Sequence, residues 1–321
     1  MLFRKNTLTS NPAPVYEKKA ASSKNPVCIV GSNALAGLLA AKFSEAGENV
    51  ILMAGAKENA NLSTNGITLK EDYQLQKRHY KFKTALWLKD SPRLLIITED
   101  SPRIKAALTG ITPGKIKDCP AVSFTRLKDP GLIRDILGIP VIDAYFEGWL
   151  RSRDQQIIVY GRTPQISLCC PDDTVTFLLL QKLLEPLKMP ILPAEDSEQC
   201  FWDYFCLYAP CSLLTAAHGK NVFELIKNKP LREQLHSLVK EICQLAPSHI
   251  NAPLADDIVK KIFNIPSDYL FPLQTEISRG NAGDIDFIST ILQQASGNRK
   301  QPLPETASLL KQIYQMLLKS E

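Results

Sequence analysis

The chain has 321 residues, 45 % of them hydrophobic and 22 % charged, with a formal net charge of +5. These are the proportions of a soluble globular protein with room for one large domain or two ordinary ones, and no run approaches the roughly 20 apolar residues of a membrane-spanning helix. The excess charge sits in residues 1–25, where Arg4, Lys5, Lys18, Lys19 and Lys24 stand against one acid, Glu17; the nearly neutral body excludes a phosphate-tracking nucleic-acid surface, which needs Lys and Arg clustered on the folded part.

Residues 1–25 contain no apolar core of the secretory type. Their Ser, Asn, Pro and Lys content predicts a flexible basic arm, with an organellar transit peptide as the alternative. Val27–Val30 follows as a short apolar strand ending at Gly31. Ala34–Ala46 carries Ala, Leu and Phe at helical spacing up to Gly47, and Asn49–Met53 is a second strand, so the unit fits a βαβ crossover. Arg93–Thr98 predicts a third strand, Ser101–Leu108 a helix, Ala121–Phe124 a strand and Pro130–Leu137 a helix. Strands alternating with helices imply a parallel, doubly wound sheet.

Between Ile139 and Leu168 three short segments, Val141–Phe146, Gln156–Tyr160 and Gln165–Leu168, read as antiparallel strands that finish the sheet. Thr174–Leu187 reads as a helix. From Pro193 onward apolar residues recur at three- and four-residue spacing in Trp202–His218, Asn221–Ile226, Leu231–Leu245, Ala255–Ile262, Asp284–Ala295 and Pro304–Lys319. The expected fold is α/β: a flexible tail (1–25), a Rossmann-type doubly wound domain (26–192) and an all-helical C-terminal domain (193–321).

The eight cysteines form no CxxC pair and the four histidines are scattered. No metal spacing results, and the cysteines read as reduced thiols of a cytoplasmic protein.

The loop after the first strand runs Gly31-Ser32-Asn33-Ala34-Leu35-Ala36-Gly37. A dinucleotide turn of the form G-x-G-x-x-G uses its glycines for the tight turn, for backbone approach to the pyrophosphate and for close helix–strand packing. Gly31 holds the first position, Asn33 the second and Ala36 the third. Ala36 costs little there, whereas the Asn33 side chain occupies space that a pyrophosphate would use. At the end of the second strand Met53-Ala54-Gly55-Ala56-Lys57 offers no acid for a ribose hydroxyl. Lys57 reads first as an exposed loop lysine; it also suits a 2′-phosphate, which favours NADP(H) over NAD if any dinucleotide binds.

In the second half, Arg153-Asp154, Ile157–Gly161 and the stretch to Pro171 match the pattern R-x-D-G…H…G…I-G-P. Trp202 with Leu214-Thr215-Ala216-Ala217-His218-Gly219, then Glu224-Leu225, Asn228 and Leu231-Arg232, match W-x-K…N…N-x-L-T-A. Asp284–Ile288 matches T-E-I-D-x-I, and Pro302–Glu305 matches V-P-x-N/E. Together these segments, spread over roughly residues 26–319, resemble the ketopantoate reductase family. The resemblance implies reduction of a 2-keto acid by NADPH, with a lysine two residues after the tryptophan as the proton donor that charge growing on the carbonyl oxygen demands.

At the matching positions this sequence departs from the family. Tyr204 replaces the lysine. Tyr208 and Ser212 replace two substrate-binding asparagines, and Asp284 replaces a longer glutamate. Thr98-Glu99-Asp100-Ser101 stands where a nucleotide-side lysine is expected, and Phe124–Leu127 where an N-G-x-G turn is expected. Two tyrosines four apart on one helix face fill a cleft with aromatic surface. The sequence therefore predicts a catalytically degenerate relative that needs no cofactor and serves as a structural or regulatory subunit among other protein subunits, with a homodimer implied only by the resemblance. The alternatives are an active NADPH-dependent 2-keto acid reductase with Tyr204 as acid and Asp284 as orienting carboxylate, and a non-catalytic NADP(H) sensor.

Overall fold

Every residue of Val27–Val30 (β1) is fully buried, because this strand lies at the centre of the sheet. It pairs in parallel with Val50–Met53 (β2) on one side and Leu94–Ile97 (β6) on the other. A parallel strand covered on both faces needs the unbroken apolar run seen in both β1 and β6. The computed structural model describes residues 25–71, 77–99, 104–125, 131–153, 156–170, 173–194, 196–282, 284–299 and 302–319.

Between β1 and β2 lies Ala34–Glu45 (α1). Ala56–Asn65 (α2) leads to the strands Ile67–Glu71 (β3), Arg78–Tyr80 (β4) and Lys83–Ala85 (β5). After β6 come Ile104–Leu108 (α3), Ala121–Ser123 (β7) and Gly131–Leu137 (α4). Two long strands, Ile142–Arg153 (β8) and Gln156–Cys169 (β9), pair antiparallel, with an irregularity between Glu147 and Trp149. Thr174–Leu184 (α5) and Ile191–Ala194 (β10) follow, and β10 pairs in parallel with β9. The sheet order is β4-β3-β9-β8-β7-β6-β1-β2-β5, with β10 beside β9. One face packs on α1 and α5 and the other on α3 and α4.

Beyond the sheet the chain is helical: Ser197–His218 (α6), Val222–Lys227 (α7), Lys229–Cys243 (α8), Ala255–Ile262 (α9), Pro272–Ile277 (α10), Ile285–Arg299 (α11) and Pro304–Leu318 (α12). Asn221 and Glu224 form a reciprocal capping box at α7, and Asn228 caps α8. The helices enclose a core of their own around the buried length of α6. No helix among the described residues is long and apolar enough to cross a membrane.

The doubly wound sheet followed by helices is as the sequence predicts. The differences have local causes. The three short strands expected over 141–168 are two continuous ones, because the Gly161–Pro164 segment, read as a turn, stays within β9 opposite the irregularity in β8. The expected division at 192/193 falls inside β10, so Pro193 and Ala194 are strand rather than the start of the helical region. The α2, β3, β4, β5 and α10 elements have no expected counterpart. α2 buries only Asn59 and Leu62, and β4 reads Arg-His-Tyr, so hydrophobic periodicity carries no signal there. Residues 1–24 of the expected tail lie outside the described residues.

A buried ionic cluster explains how so polar a segment joins the sheet. Glu71 at the end of β3 is 1 % exposed at its side chain; it accepts from Lys42 Nζ of α1 at 2.6 Å and from the Arg78 guanidinium of β4. Arg78 also bridges to Glu45, which accepts from the Tyr80 hydroxyl. The cluster fastens the last turns of α1 to the β3–β4 edge. Removing one partner of a buried pair leaves charge uncompensated. Glu71→Ala is expected to lower the unfolding free energy in urea by about 3 kcal/mol, while Lys83→Ala on exposed β5 stays within about 0.5 kcal/mol of the parent.

Candidate functional site

The order of strands reverses at β1, whose neighbours β2 and β6 lead to opposite sides of the sheet. The crevice beyond the carboxyl ends of β1 and β6 is where open α/β sheets place ligands. Gly31 opens the turn there with φ +138°. A Cβ at Gly31 would lie 2.3 Å from Thr98 Oγ1 and 3.1 Å from Glu99 N. The glycine is thus required by the close approach of the chain leaving β6. Thr98 closes the contact by donating its N–H to Val30 O at 2.9 Å and its hydroxyl to the same oxygen at 3.1 Å.

Asn33 is the N-cap of α1, with extended backbone. Its Oδ1 accepts from Ala36 N at 2.9 Å and its Nδ2 donates to Thr98 O at 2.5 Å. The side chain therefore occupies a first-turn amide that an anion at a helix N-terminus would use. Ala36 is buried, but the closest helix–sheet contact falls one residue later. A Cβ on Gly37 would stand 2.2 Å from Ile157 Cδ1 and 2.8 Å from Ile67 Cδ1.

Lys57 is exposed in the first turn of α2. Its neighbour Glu58 turns a carboxylate oxygen back to 2.5 Å from where a Gly55 Cβ would sit. Ser32, Asn33, Glu58, Asn61, Ser152 and Ile157 are among the residues lining a cavity of about 190 Å³. Glu99, buried at the end of β6, adds a second acid at this end of the sheet. These residues do not fit a dinucleotide. The amide of Asn33 takes up the first-turn N–H that a phosphate at this helix start would use, and Glu58 adds a carboxylate to the lining. Asp100, Ser101, Arg126 and Leu127 lie outside the described residues. Phe124 is buried, and Thr125 and Ser123 share a hydroxyl hydrogen bond of 2.7 Å.

The second group of residues is carried by α6. Tyr204 and Tyr208, one turn apart, stack with ring centroids 5.0 Å apart and planes 22° from parallel. Tyr208 is buried and donates its hydroxyl to Asp284 Oδ2 at 2.7 Å. Asp284 immediately precedes α11. The structure thus brings Tyr204, Tyr208 and Asp284 together. Ser212 lies one turn further along α6, fully buried, and its hydroxyl has no hydrogen-bond partner among the described residues.

Four residues missed in the sequence complete the group. Phe271, at the start of α10, lies 5.8 Å from the Tyr208 ring and 5.2 Å from Tyr269. Tyr269 in turn meets Trp149 of β8 at 5.0 Å and Tyr160 of β9 at 5.9 Å, both edge-on. The middle of the β8–β9 pair, where Trp149 faces Tyr160, is therefore packed into the core of the helices through aromatic rings. The Tyr269-Leu270-Phe271 spacing was the available signal, but it is too short to specify a partner. Among the described residues no group of three or more His, Cys, Asp or Glu is placed to hold a metal ion.

Residues 27–123 match the family model described as ketopantoate reductase PanE/ApbA. No curated protein matches the sequence. Among solved structures, a PanE/ApbA family ketopantoate reductase from Ralstonia eutropha JMP134 is 16 % identical with a TM-score of 0.77, covering 92 % of this chain and 99 % of its own. A D-mandelate dehydrogenase solved with NADH and anilino(oxo)acetate is 14 % identical with a TM-score of 0.76, covering 92 % and 99 %. A dimeric ketopantoate reductase from Staphylococcus aureus is 14 % identical with a TM-score of 0.70, covering 92 % and 100 %. At these identities the structural likeness is one of fold.

Two substitutions separate the roles of the α6 hydroxyls. Tyr208→Phe leaves the Asp284 carboxylate short of a donor and is expected to cost about 1–2 kcal/mol in chemical denaturation. Ser212→Ala removes a buried hydroxyl that gains nothing from its surroundings, and is expected to leave stability unchanged or raise it by up to about 1 kcal/mol.

Proposed function

We propose that this chain, which belongs with the ketopantoate reductases in fold and in the family match of its N-terminal residues, has kept their architecture without their chemistry and acts as a structural or regulatory subunit through contacts with other proteins. The observation that carries this reading is the bond from the Tyr208 hydroxyl to Asp284, with Tyr204 stacked on the same ring. The resemblance assigns to these positions the groups that receive and protonate a keto acid. Here they are engaged with one another.

Ketone reduction needs an acid beside the carbonyl oxygen as the hydride arrives, because negative charge grows there. A lysine ammonium stabilises that charge directly. A phenol, with an ordinary pKa near 10, is neutral at pH 7 and serves only with help from a nearby cation. The carboxylate that would orient a substrate hydroxyl already accepts a hydrogen bond from Tyr208. On the nucleotide side, the same argument rests on Asn33, whose amide is hydrogen-bonded at both ends. A second copy of this chain is one candidate partner, given the dimeric relative from Staphylococcus aureus.

Titration with NADPH is the direct test, followed through the emission of Trp87, Trp149 and Trp202. No change is expected at millimolar nucleotide. Asn33→Gly, which clears the phosphate position, is expected to bring measurable binding. Micromolar affinity in the parent chain, roughly −8 kcal/mol, together with turnover of a 2-keto acid that Tyr204→Phe abolishes, would replace this reading with that of an active reductase. Equal affinity without turnover would make the protein an NADP(H) sensor.

A further inference from the structure

Leu86 and Trp87 follow β5 at the edge of the sheet, and they are 45 % and 59 % exposed. Their neighbour Leu88 is buried in the core under α3 and α4. The backbone on both sides is held: Leu88 donates its N–H to Gly110 O at 2.8 Å, and a Cβ at Gly110 would lie 2.2 Å from Leu86 O. The fold thus anchors this segment through Leu88 and presents the Trp87 indole outward from a fixed backbone. A large ring held in this way loses little freedom when a partner covers it, and tryptophan is a frequent centre of binding energy in protein interfaces.

Lysines surround the pair. Residues 77–90 hold Lys77, Arg78, Lys81, Lys83 and Lys89 against one acid, Asp90. Arg78 is engaged in the buried ionic cluster, whereas Lys83 and Lys89 are exposed on either side of Leu86 and Trp87. Two more lysines arrive from elsewhere in the chain. Asn59 of α2 donates its side-chain amide to Ala85 O at 2.9 Å, which sets the first turn of α2, with exposed Lys57, beside the end of β5. Lys115, also exposed, donates to the Lys89 carbonyl. Glu58 turns away, towards Gly55 and the cavity beside Asn33.

We propose that this patch docks an acidic segment of a partner protein, an inference that rests on the reading of the chain as a subunit working through protein contacts. An apolar side chain of the segment sits on Trp87 and Leu86, and carboxylates flanking it meet Lys57, Lys83, Lys89 and Lys115. Charge complementarity of this kind steers the encounter and selects the partner, while the apolar centre supplies most of the affinity. Four lysines around two apolar side chains match a short acidic stretch and make no track of the length that nucleic acid requires. The indole stands on a loop beside a sheet edge, not on an amphipathic helix of the membrane-surface type.

The test titrates the full chain with the peptide Glu-Asp-Glu-Ile-Phe-Glu-Asp-Glu, blocked at both ends, by calorimetry and by tryptophan emission. Trp149 and Trp202 are packed among other rings, so the emission shift to shorter wavelength comes from Trp87 and disappears in Trp87→Phe. The expected Kd is about 50 µM at low salt, weakening about ten-fold when the salt is raised past the point where surface charges are screened. Trp87→Ala weakens binding about thirty-fold, and Lys83→Glu and Lys89→Glu about ten-fold each. The same charge reversal at exposed Lys182 of α5 leaves the affinity unchanged. Glutamine in place of the peptide's acids removes binding. NADPH at millimolar concentration leaves the peptide bound; nucleotide binding alongside the peptide would end the reading of lost nucleotide chemistry while keeping the docking site. Absence of binding at millimolar peptide, displacement of the peptide by NADPH, or a preference for phosphatidylserine vesicles or single-stranded DNA over the peptide would overturn the proposal.

Discussion

Asn33 stands where the central strand turns into the first helix, and its amide bonds in two directions. One end holds the Ala36 amide at the start of α1, and the other holds the Thr98 carbonyl at the end of β6. The two strands that flank the reversal of the sheet are therefore joined through a single side chain at the place where a nucleotide-binding relative would receive a phosphate. Gly31 cooperates from below, since only a residue without a Cβ lets the chain leaving β6 pass so close. The loop keeps the shape of a phosphate cradle while its contents are internal.

The same self-sufficiency marks the far side of the cleft. Tyr204 and Tyr208 present aromatic faces, and Asp284 has a phenol as its hydrogen-bond donor. Rings from β8, β9, α6 and α10 then meet edge-on, the arrangement preferred by aromatic quadrupoles. In an enzyme of this fold, space between sheet and helices must open to water and substrate. Here the aromatic rings and the Asp284 carboxylate on this side are paired with each other.

The sequence made the sheet's centre legible because its strands are unbroken apolar runs bounded by glycine, and the helices because their apolar residues recur with helical spacing. It hid the β3–β5 edge, since those residues enter the sheet through the Lys42–Glu71–Arg78 cluster rather than through hydrophobic alternation. It also hid α2, a helix with little apolar surface to bury. Tyr204, Tyr208 and Asp284 were found by their positions within a resembling pattern. Their neighbours Trp149, Tyr160, Tyr269 and Phe271 were not, because no local spacing relates a pair of strands to a helix start that arrives so much later in the chain. Ala36 and Gly37 show the limit of motif register: the motif points to one residue, and close packing selects the next.

That late arrival has a consequence for how the protein is made. Trp149 and Tyr160 are synthesised early, yet Tyr269 and Phe271 cover them only after α5 through α9 have followed. Contacts of such separation are slow to form, and the sheet, with its own cores, is made before the helices that complete this contact. For that interval the rings of Trp149 and Tyr160, paired across β8 and β9, lack the cover that Tyr269 and Phe271 give them.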